Sequence, residues 1–388
     1  MKNKALLMLL PVLSIALTSC SGVKNYKEHL EDYVKKMDYH ENFNILQLTD
    51  IHWNANSSTS ASKKYLEKVL AEADRKIKAE QGADAKIDLI ELTGDMFMLA
   101  NAYHVDSFVK FFEKQAVNYG FTYTAIWGNH DRHGLYNPNW LSKKFKNAKH
   151  CIYIEPNDNL YGRSNFVINL MDGNQVRWQL ANLDSGASFS ETSVSPFKDY
   201  DYIRDDQVNW WKLEHDKANE TVGVPGVEVP TLAYYHIPQD ENETLWQEVY
   251  AKLHEGKPSP RTQKFFRLEE FAASDTKQSS FIDVAKNHGL KGAFMGHAHN
   301  VDWTVEYEGV VIGLGVKTGT ELYFAHIEKD TTDEAMKFGL DSIGGTDQNF
   351  DLIGASLVTI RNELGMFDLE HLYLNERTSG DFVRWVKW

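Results

Sequence analysis

Cysteine is nearly absent from this sequence, with only Cys20 and Cys151 among 388 residues. Two cysteines cannot form a disulfide framework or supply a metal site built from several thiolates. Proline is also scarce, at nine residues, and no proline- or glycine-rich linker follows residue 41. We therefore predict a chain held together by a hydrophobic core, for which its length and 42% hydrophobic residues are sufficient.

Positive charge is in deficit, since 41 lysines and arginines stand against 55 acidic residues and the formal net charge is −14. A chain of this charge has no general attraction for phosphate backbones, so we do not expect it to bind a nucleic-acid scaffold. A small phosphorylated substrate remains compatible with this charge, because a bound metal ion can invert it locally.

Long hydrophobic runs are limited to the amino terminus. Lys2 and Lys4 precede an apolar run over residues 5–17, which is shorter than the ~20 residues of a membrane-spanning helix and is typical of a secretory signal. Leu17-Thr-Ser-Cys20 is similar to a bacterial lipobox, in which the cysteine carries the lipid. A plain signal peptide with an incidental cysteine and an uncleaved anchor are the alternatives.

We thus predict three segments: a lipoprotein signal peptide over 1–19, a polar tether over 20–41 and one folded domain over 42–388. Cys20 is the predicted lipid attachment site. The protein would be exported and anchored by its lipid to a membrane of the bacterial cell envelope, facing the periplasm or the cell surface.

From Asn42 onwards, strand-like and helix-like segments alternate. The predicted strands include 44–48, 86–92, 121–127, 231–235, 291–295, 309–314 and 355–360. The predicted helices are 62–80, 104–119, 205–219, 243–255 and 279–288. This alternation indicates an α/β protein whose sheet is covered by helices on its faces. Ligands of such folds bind beyond the carboxyl ends of the strands.

Polar motifs follow these apolar strands. They are Asp50-Ile-His52, Gly94-Asp95, Gly128-Asn129-His130-Asp131, His236 and Gly296-His297-Ala-His299. Each motif alone is a weak signal, because Gly-Asp is also an ordinary turn and a single histidine is more often structural. Together they supply nitrogen and oxygen ligands without a thiolate, a set that suits divalent metals such as Mn, Fe or Zn. The number of ligands is sufficient for two metals that share one carboxylate.

The order of these motifs resembles the calcineurin-like metallophosphoesterases, over residues 44 to about 315. The resemblance implies an αββα two-sheet sandwich with a dinuclear metal site at one edge. It implies that one metal binds Asp50, His52, Asp95 and His299, and that the other binds Asp95, Asn129, His236 and His297. It also implies that His130 faces the substrate phosphate as a catalytic residue, paired with Asp131.

Flanking stretches look like the purple-acid-phosphatase-like branch of that family: 45–52, 183–186 and 232–238. The sequence departs from true purple acid phosphatases at two positions. Met98 stands where their chromophoric tyrosine would follow the bridging aspartate, and His52 stands where their first motif has no histidine. We therefore expect no purple charge-transfer colour.

The resemblance implies a hydrolase of phosphate esters that uses a metal-bridging hydroxide as nucleophile. We expect a phosphomonoesterase, with phosphodiesterase activity on a nucleotide, lipid or sugar diester as the alternative within enzymes. A surface binding protein without turnover is the alternative from another class. Asn129 is expected to contact the substrate, and Arg132 and His133 could do so too, unless they belong to a solvated loop.

Overall fold

A computed structural model of the chain contains the strands and helices that position the polar motifs. It describes residues 30–53, 59–132, 138–154, 160–187, 200–239, 263–268, 279–320, 350–375 and 383–387, with short pieces between 241–252 and 325–337. The helices are α1 (Thr59–Gln81), α2 (Ala102–Tyr119), α3 (Pro138–Lys146), α4 (Asp205–Val222) and α5 (Phe281–Ala285). The strands are β1 (Val34–Asp38), β2 (Phe43–Leu48), β3 (Leu89–Thr93), β4 (Thr122–Ile126), β5 (Phe166–Asp172), β6 (Gln175–Asn182), β7 (Thr231–Tyr234), β8 (Gln263–Leu268), β9 (Leu290–Met295), β10 (Val301–Tyr307), β11 (Val310–Leu314), β12 (Ala325–Ile327), β13 (Phe350–Ile360), β14 (Phe367–Asn375) and β15 (Val383–Lys387).

These strands form two mixed sheets. The eight-stranded sheet has the order β1-β5-β6-β7-β9-β11-β10-β8, and within it β6, β7, β9 and β11 are parallel. The seven-stranded sheet has the order β15-β14-β13-β2-β3-β4, with β12 paired to β13, and within it β2, β3 and β4 are parallel. The parallel strands of each sheet therefore end together at one edge.

The core occupies three apolar layers of a single domain. A large cluster joins α1 and α2 to the seven-stranded sheet and also fills the space between the two sheets. A second cluster joins α4 and α5 to the outer face of the eight-stranded sheet. Helices thus cover both outer faces of a two-sheet sandwich, which confirms the predicted αββα fold class. None of the helices in the described ranges is long and apolar enough to cross a membrane.

The structure differs from the predicted tether over residues 30–38. Leu30 and Tyr33 are buried, and the Tyr33 ring lies 5.4 Å from that of Trp210. β1 then pairs in parallel with β5 as an edge strand. The segment looks polar in sequence because an edge strand exposes residues such as Lys35 and Lys36 to solvent. Residues 1–29, which include the predicted signal peptide and Cys20, lie outside the described residues.

Most predicted elements have structural counterparts whose bounds differ by one to five residues. The predicted strand at 86–92 begins later, at Leu89, and the Asp88 carboxylate just before it accepts the backbone N–H of Asn44 at 2.8 Å. The predicted helix at 279–288 is shorter, at Phe281–Ala285. The predicted helix at 243–255 falls mainly outside the described residues.

Candidate metal centre

Four of the predicted metal ligands have a left-handed backbone conformation: Asp50 (φ 51°), His52 (φ 46°), Asp95 (φ 49°) and His297 (φ 75°). Residues other than glycine seldom adopt this conformation, and it persists where surrounding contacts enforce it. Backbone hydrogen bonds provide such contacts, since Asp50 N donates to Gly94 O at 3.1 Å and His52 N donates to Asp95 O at 3.0 Å. The loops after β2 and β3 are thereby fixed to each other.

The first group of convergent side chains comprises Asp50, His52, Asp95 and His299, whose candidate ligand atoms lie within 4.8 Å of one another. The Nε2 atoms of His52 and His299 are 2.9 Å apart, and His299 Nε2 lies 3.2 Å from Asp50 Oδ1. All four side chains are buried. Such crowding of imidazole nitrogens and carboxylate oxygens around one point is the arrangement that a metal ion requires.

The second group comprises Asp95, His236 and His297, within the same 4.8 Å limit. His236 Nε2 lies 3.4 Å from Asp95 Oδ2 and 3.1 Å from the side-chain oxygen of Asn129. Asp95 thus belongs to both groups, and Asn129 adjoins the second. The structure brings together all seven residues that the sequence analysis assigned as ligands.

Hydrogen bonds leave one oxygen of each carboxylate facing the centre. Asp50 Oδ2 accepts from Thr49 Oγ1 at 2.7 Å and from the backbone N–H of His297 at 3.0 Å. Asp95 Oδ1 accepts the backbone N–H of His130 at 2.8 Å. The remaining oxygens, Asp50 Oδ1 and Asp95 Oδ2, are buried and make no hydrogen bond within the described part of the chain.

One of the imidazoles is oriented from behind by a backbone carbonyl. His236 Nδ1 lies 2.8 Å from the carbonyl oxygen of Thr93, to which it donates when Nδ1 carries the proton. This tautomer leaves Nε2 as the free nitrogen on the side of Asp95 and Asn129. A bond of this kind on the far ring nitrogen is the usual support of a metal-binding histidine.

The donor set and its geometry fit a dinuclear metal site. Two buried carboxylate oxygens without a hydrogen bond face clustered imidazoles, and a bound cation would stabilise this arrangement. Nitrogen and oxygen donors of this mixture suit borderline divalent metals.

Burial keeps most of these imidazoles neutral, which is the form that binds a metal. It lowers the pKa of His297 to about 3, and it also lowers the pKa values of His52 and His299. Burial likewise lowers the pKa of His236, but the Asp95 carboxylate outweighs it and raises that pKa to about 9. A metal ion would therefore displace a proton from His236 on binding.

His130 lies beside the ligand groups without belonging to either. Its Nε2 is 4.0 Å from Asp95 Oδ2, and its ring meets the ring of His52 edge-on at 5.2 Å. The His130 side chain is 24% exposed, whereas those of His52 and His236 are fully buried. It is thus placed at the solvent side of the centre.

The carboxylate of Asp131 contacts backbone groups and does not have the predicted role of orienting His130. Its carboxylate oxygens accept the backbone N–H groups of Phe97 and Gly128, both at 2.9 Å. These bonds connect the loop after β3 to the loop after β4. Asp131 therefore holds the two loops together, and its carboxylate points into the protein because it is fully buried.

Arg132, a predicted substrate contact, forms an ion pair with the buried carboxylate of Asp184. Asp184 also accepts the backbone N–H of Gly186 at 2.9 Å. The guanidinium is thus fixed, with the Arg132 side chain 18% exposed. Its contact with substrate stays a prediction, and His133 lies outside the described residues.

Two glycines of the motifs allow the close packing of the ligand loops. A Cβ atom at Gly128 would lie 2.2 Å from Asp95 Oδ1, and a Cβ atom at Gly296 would lie 1.9 Å from Thr49 Oγ1. Neither position tolerates a side chain without displacing a neighbour of the metal centre. The glycines of Gly-Asn-His-Asp and Gly-His-Ala-His therefore have a steric role.

Sequence reasoning missed two residues that contact the centre. The buried Lys317 donates from Nζ to the carbonyl oxygen of Asp50 at 2.7 Å. The ring of Tyr200 meets that of His297 edge-on, with centroids 4.4 Å apart. Neither residue lies in a recognisable motif; the position of Lys317 shortly after an apolar strand is the one signal that could have pointed to it.

The match to one protein-family model agrees with this geometry. The family model for calcineurin-like phosphoesterases matches residues 43–301, more than half of the chain, and this range contains both ligand groups. No curated protein matches the sequence. Among solved structures, a dimetal phosphatase from Danio rerio aligns with 90% of this chain and 100% of its own, at 10% identity and a TM-score of 0.48. The chain belongs to the calcineurin-like phosphoesterase family and is a metal-dependent phosphoesterase.

Proposed function

We propose that the protein hydrolyses phosphate monoesters at this centre. In this proposal, one divalent metal binds Asp50, His52, Asp95 and His299, and the other binds Asp95, Asn129, His236 and His297. The observation that carries the proposal is the membership of Asp95 in both groups of convergent ligands. A carboxylate with one oxygen directed at two clusters of imidazoles is suited to bridge two metals.

Two bound divalent cations would supply Lewis acidity and lower the pKa of a water molecule toward neutrality. Side chains of the protein would bind the phosphoryl group and supply the proton for the leaving group. The Asn129 side-chain oxygen, 3.1 Å from His236 Nε2, would hold the metal, and the side-chain NH2 group would then be available to donate to a phosphoryl oxygen. His130 is partly exposed and is placed to donate a proton to the leaving oxygen of the ester.

We favour a monoester as the substrate because a partly exposed cation, Arg132, follows His130 closely in the chain. The Arg132 guanidinium lies two residues after His130 and is partly exposed while Asp184 fixes it. A monoester dianion carries more charge than a diester and gains more from such a fixed cation. A phosphodiester of a nucleotide, lipid or sugar is the second candidate.

We also propose that the chain belongs to the purple-acid-phosphatase-like branch of the family. One of the stretches that resemble that branch, 183–186, adjoins the metal centre, since Ser185 Oγ accepts the backbone N–H groups of His236 at 3.3 Å and Ile237 at 2.8 Å. Because Met98 replaces the chromophoric tyrosine, the iron-loaded protein should have no tyrosinate charge-transfer band.

We also propose that the protein is an exported lipoprotein with its lipid on Cys20. The support is the order of lysines, apolar run and cysteine in residues 1–20. Metabolic labelling with a radioactive fatty acid tests this, with Cys20→Ala as the variant and Cys151→Ala as the matched control. Label that persists in Cys20→Ala would contradict the assignment.

Metal content and ester preference test the function together. Protein lacking residues 1–20 is assayed for bound metal and for hydrolysis of p-nitrophenyl phosphate and bis-p-nitrophenyl phosphate with added Mn²⁺. We expect about two metals per chain, as two ligand groups require, and faster cleavage of the monoester. Faster cleavage of the diester would favour the phosphodiesterase, and a metal-loaded protein inert to both esters would contradict both enzymes.

A further inference from the structure

The space between the two sheets contains a row of polar side chains below the metal centre. On the seven-stranded sheet, Gln47 is in register with Glu91, and Glu91 is in register with Thr124. Register partners point to the same face of a sheet. Gln47 Nε2 donates to the carbonyl oxygen of Met295 on the other sheet at 3.1 Å, so all three side chains face inward.

Two polar side chains of the eight-stranded sheet face this row. Asn182 and Tyr234 are register partners on β6 and β7. Leu180 and Leu232, two residues earlier on the same strands, pack in the core cluster between the sheets. Because side chains alternate along a strand, Asn182 and Tyr234 point into the same space. The Asn182 amide lies near enough to Glu91 to lower the pKa of its carboxyl group.

This inner layer carries polar groups that the protein does not pair. Seven atoms there are buried and make no hydrogen bond within the described ranges: Gln47 Oε1, Glu91 Oε1 and Oε2, Thr124 Oγ1, Asn182 Nδ2 and Oδ1, and Tyr234 Oη. Leaving so many buried polar atoms dry would cost an amount comparable to the whole stability of a typical domain. Something must therefore pair with them.

We propose that these five side chains enclose an internal hydration site, in which ordered water molecules bridge Glu91, Asn182 and Tyr234 between the sheets. Water suits the site because the seven atoms include both donors and acceptors, and a buried water needs two to four polar partners. Glu91 belongs to neither of the metal-binding groups found among the described residues, and one carboxylate among neutral groups is a poor site for a divalent ion.

The hydrated layer supports Glu91 as a neutral carboxylic acid. Burial raises the pKa of Glu91 well above its usual value, and the Asn182 amide opposes this only in part. A protonated Glu91 donates one hydrogen bond and accepts others, which extends the water network. Hydrogen bonds link the layer to the metal centre. Gln47 Nε2 also donates to Thr93 Oγ1 at 3.0 Å, and the Thr93 carbonyl oxygen lies 2.8 Å from His236 Nδ1.

Crystal structures of the wild-type protein and of the Glu91→Gln variant test the site directly. We expect ordered water density within hydrogen-bond distance of Glu91, Asn182 and Tyr234, retained in the Gln variant because glutamine still donates and accepts. Direct side-chain pairing without water, or an ion with short oxygen contacts, would overturn the proposal. Metal content, measured alongside, separates this result from the phosphoesterase function, because we expect Glu91→Gln to keep its metals.

Infrared spectroscopy tests the state of Glu91 in solution. The difference spectrum of the wild type minus Glu91→Gln should contain the carbonyl stretch of a protonated carboxylic acid. Glu113→Gln is the matched control, because Glu113 accepts from His150 Nδ1 at 2.9 Å and its pKa is lowered despite partial burial. Apart from the amide bands of the introduced glutamine, its difference spectrum should contain carboxylate bands and no carbonyl stretch of a protonated acid. Carboxylate bands in the Glu91 spectrum would show that Glu91 is ionised, and would refute the hydrated layer around a neutral Glu91.

Discussion

The substitution Gly128→Ala tests whether the position of Asp95 controls the metal centre. The added Cβ would lie 2.2 Å from Asp95 Oδ1 and 2.4 Å from Asp95 N, although the backbone of Gly128 itself does not need a positive φ. Non-bonded heavy atoms seldom approach closer than about 3 Å. Relieving these contacts therefore requires a displacement of about 1 Å. Overpacking of this kind costs about 1–3 kcal/mol of stability.

The effect on activity should be larger than the effect on stability. A misplacement of about 1 Å reduces turnover by about 100-fold, and Asp95 belongs to both ligand groups. We expect Gly128→Ala to lose most of its bound metal and at least ~100-fold in kcat/KM for p-nitrophenyl phosphate, while it still unfolds cooperatively. Gly173→Ala is the control for stability, because its Cβ would meet nothing within 4 Å and its left-handed backbone (φ 60°) makes the alanine strained at a site away from the ligands.

Mass spectrometry of bound metals, steady-state hydrolysis and thermal melts of both variants give the result. Full metal content and normal turnover in Gly128→Ala would refute the steric reasoning and the central place of Asp95. Equal losses in Gly173→Ala would mean that the effect reflects general destabilisation.

Three further predictions concern catalysis, pH and metal removal. His130→Ala should lower kcat by about 100-fold or more while two metals stay bound; unchanged turnover would contradict the assignment of His130. Burial raises the pKa of Glu214 from 4.5 to about 8, so the folded protein favours the protonated side chain. The stability of the fold therefore falls as the pH rises through that range. Glu214→Gln should therefore raise the free energy of unfolding, measured by denaturant titration, by on the order of 3 kcal/mol at pH 7 and by little at pH 4. An equal increase in stability at the two pH values would contradict this prediction. Chelation should lower the Tm, and metal at 100-fold above Kd should restore about 2.7 kcal/mol per site; a melt insensitive to chelator would contradict the metal centre.

The strand ends of the site could be predicted from sequence because two signals coincide there. Apolar runs such as 44–48 and 291–295 predicted strands, and polar motifs directly followed them. Parallel strands bring their carboxyl ends to one edge, so Asp50, Asp95 and His297 were expected to meet. The same reasoning could not predict Lys317, because its contact with Asp50 depends on how the chain returns after β11.

The direction of a side chain was harder to predict than its neighbourhood. Asp131 follows His130 in the chain, which suggested a pair, but the carboxylate turns away to the backbone of Phe97 and Gly128. Glu91 lies in an apolar strand, and its place in the polar layer between the sheets depends on pairing with strands far away in sequence. Both cases are decided by tertiary contacts that no local pattern records.

The strained backbone at the ligands is an argument for function that does not depend on any motif. Six non-glycine residues of the described chain have positive φ, and four of them are the ligands Asp50, His52, Asp95 and His297. Each such residue costs roughly 1–2 kcal/mol relative to a right-handed conformation, a large sum beside a typical domain stability of about 5–15 kcal/mol. The fold does not need this cost, because strands can end in unstrained turns. It is maintained because these conformations direct two carboxylates and two imidazoles into the two adjoining ligand groups, and bound cations make that convergence favourable.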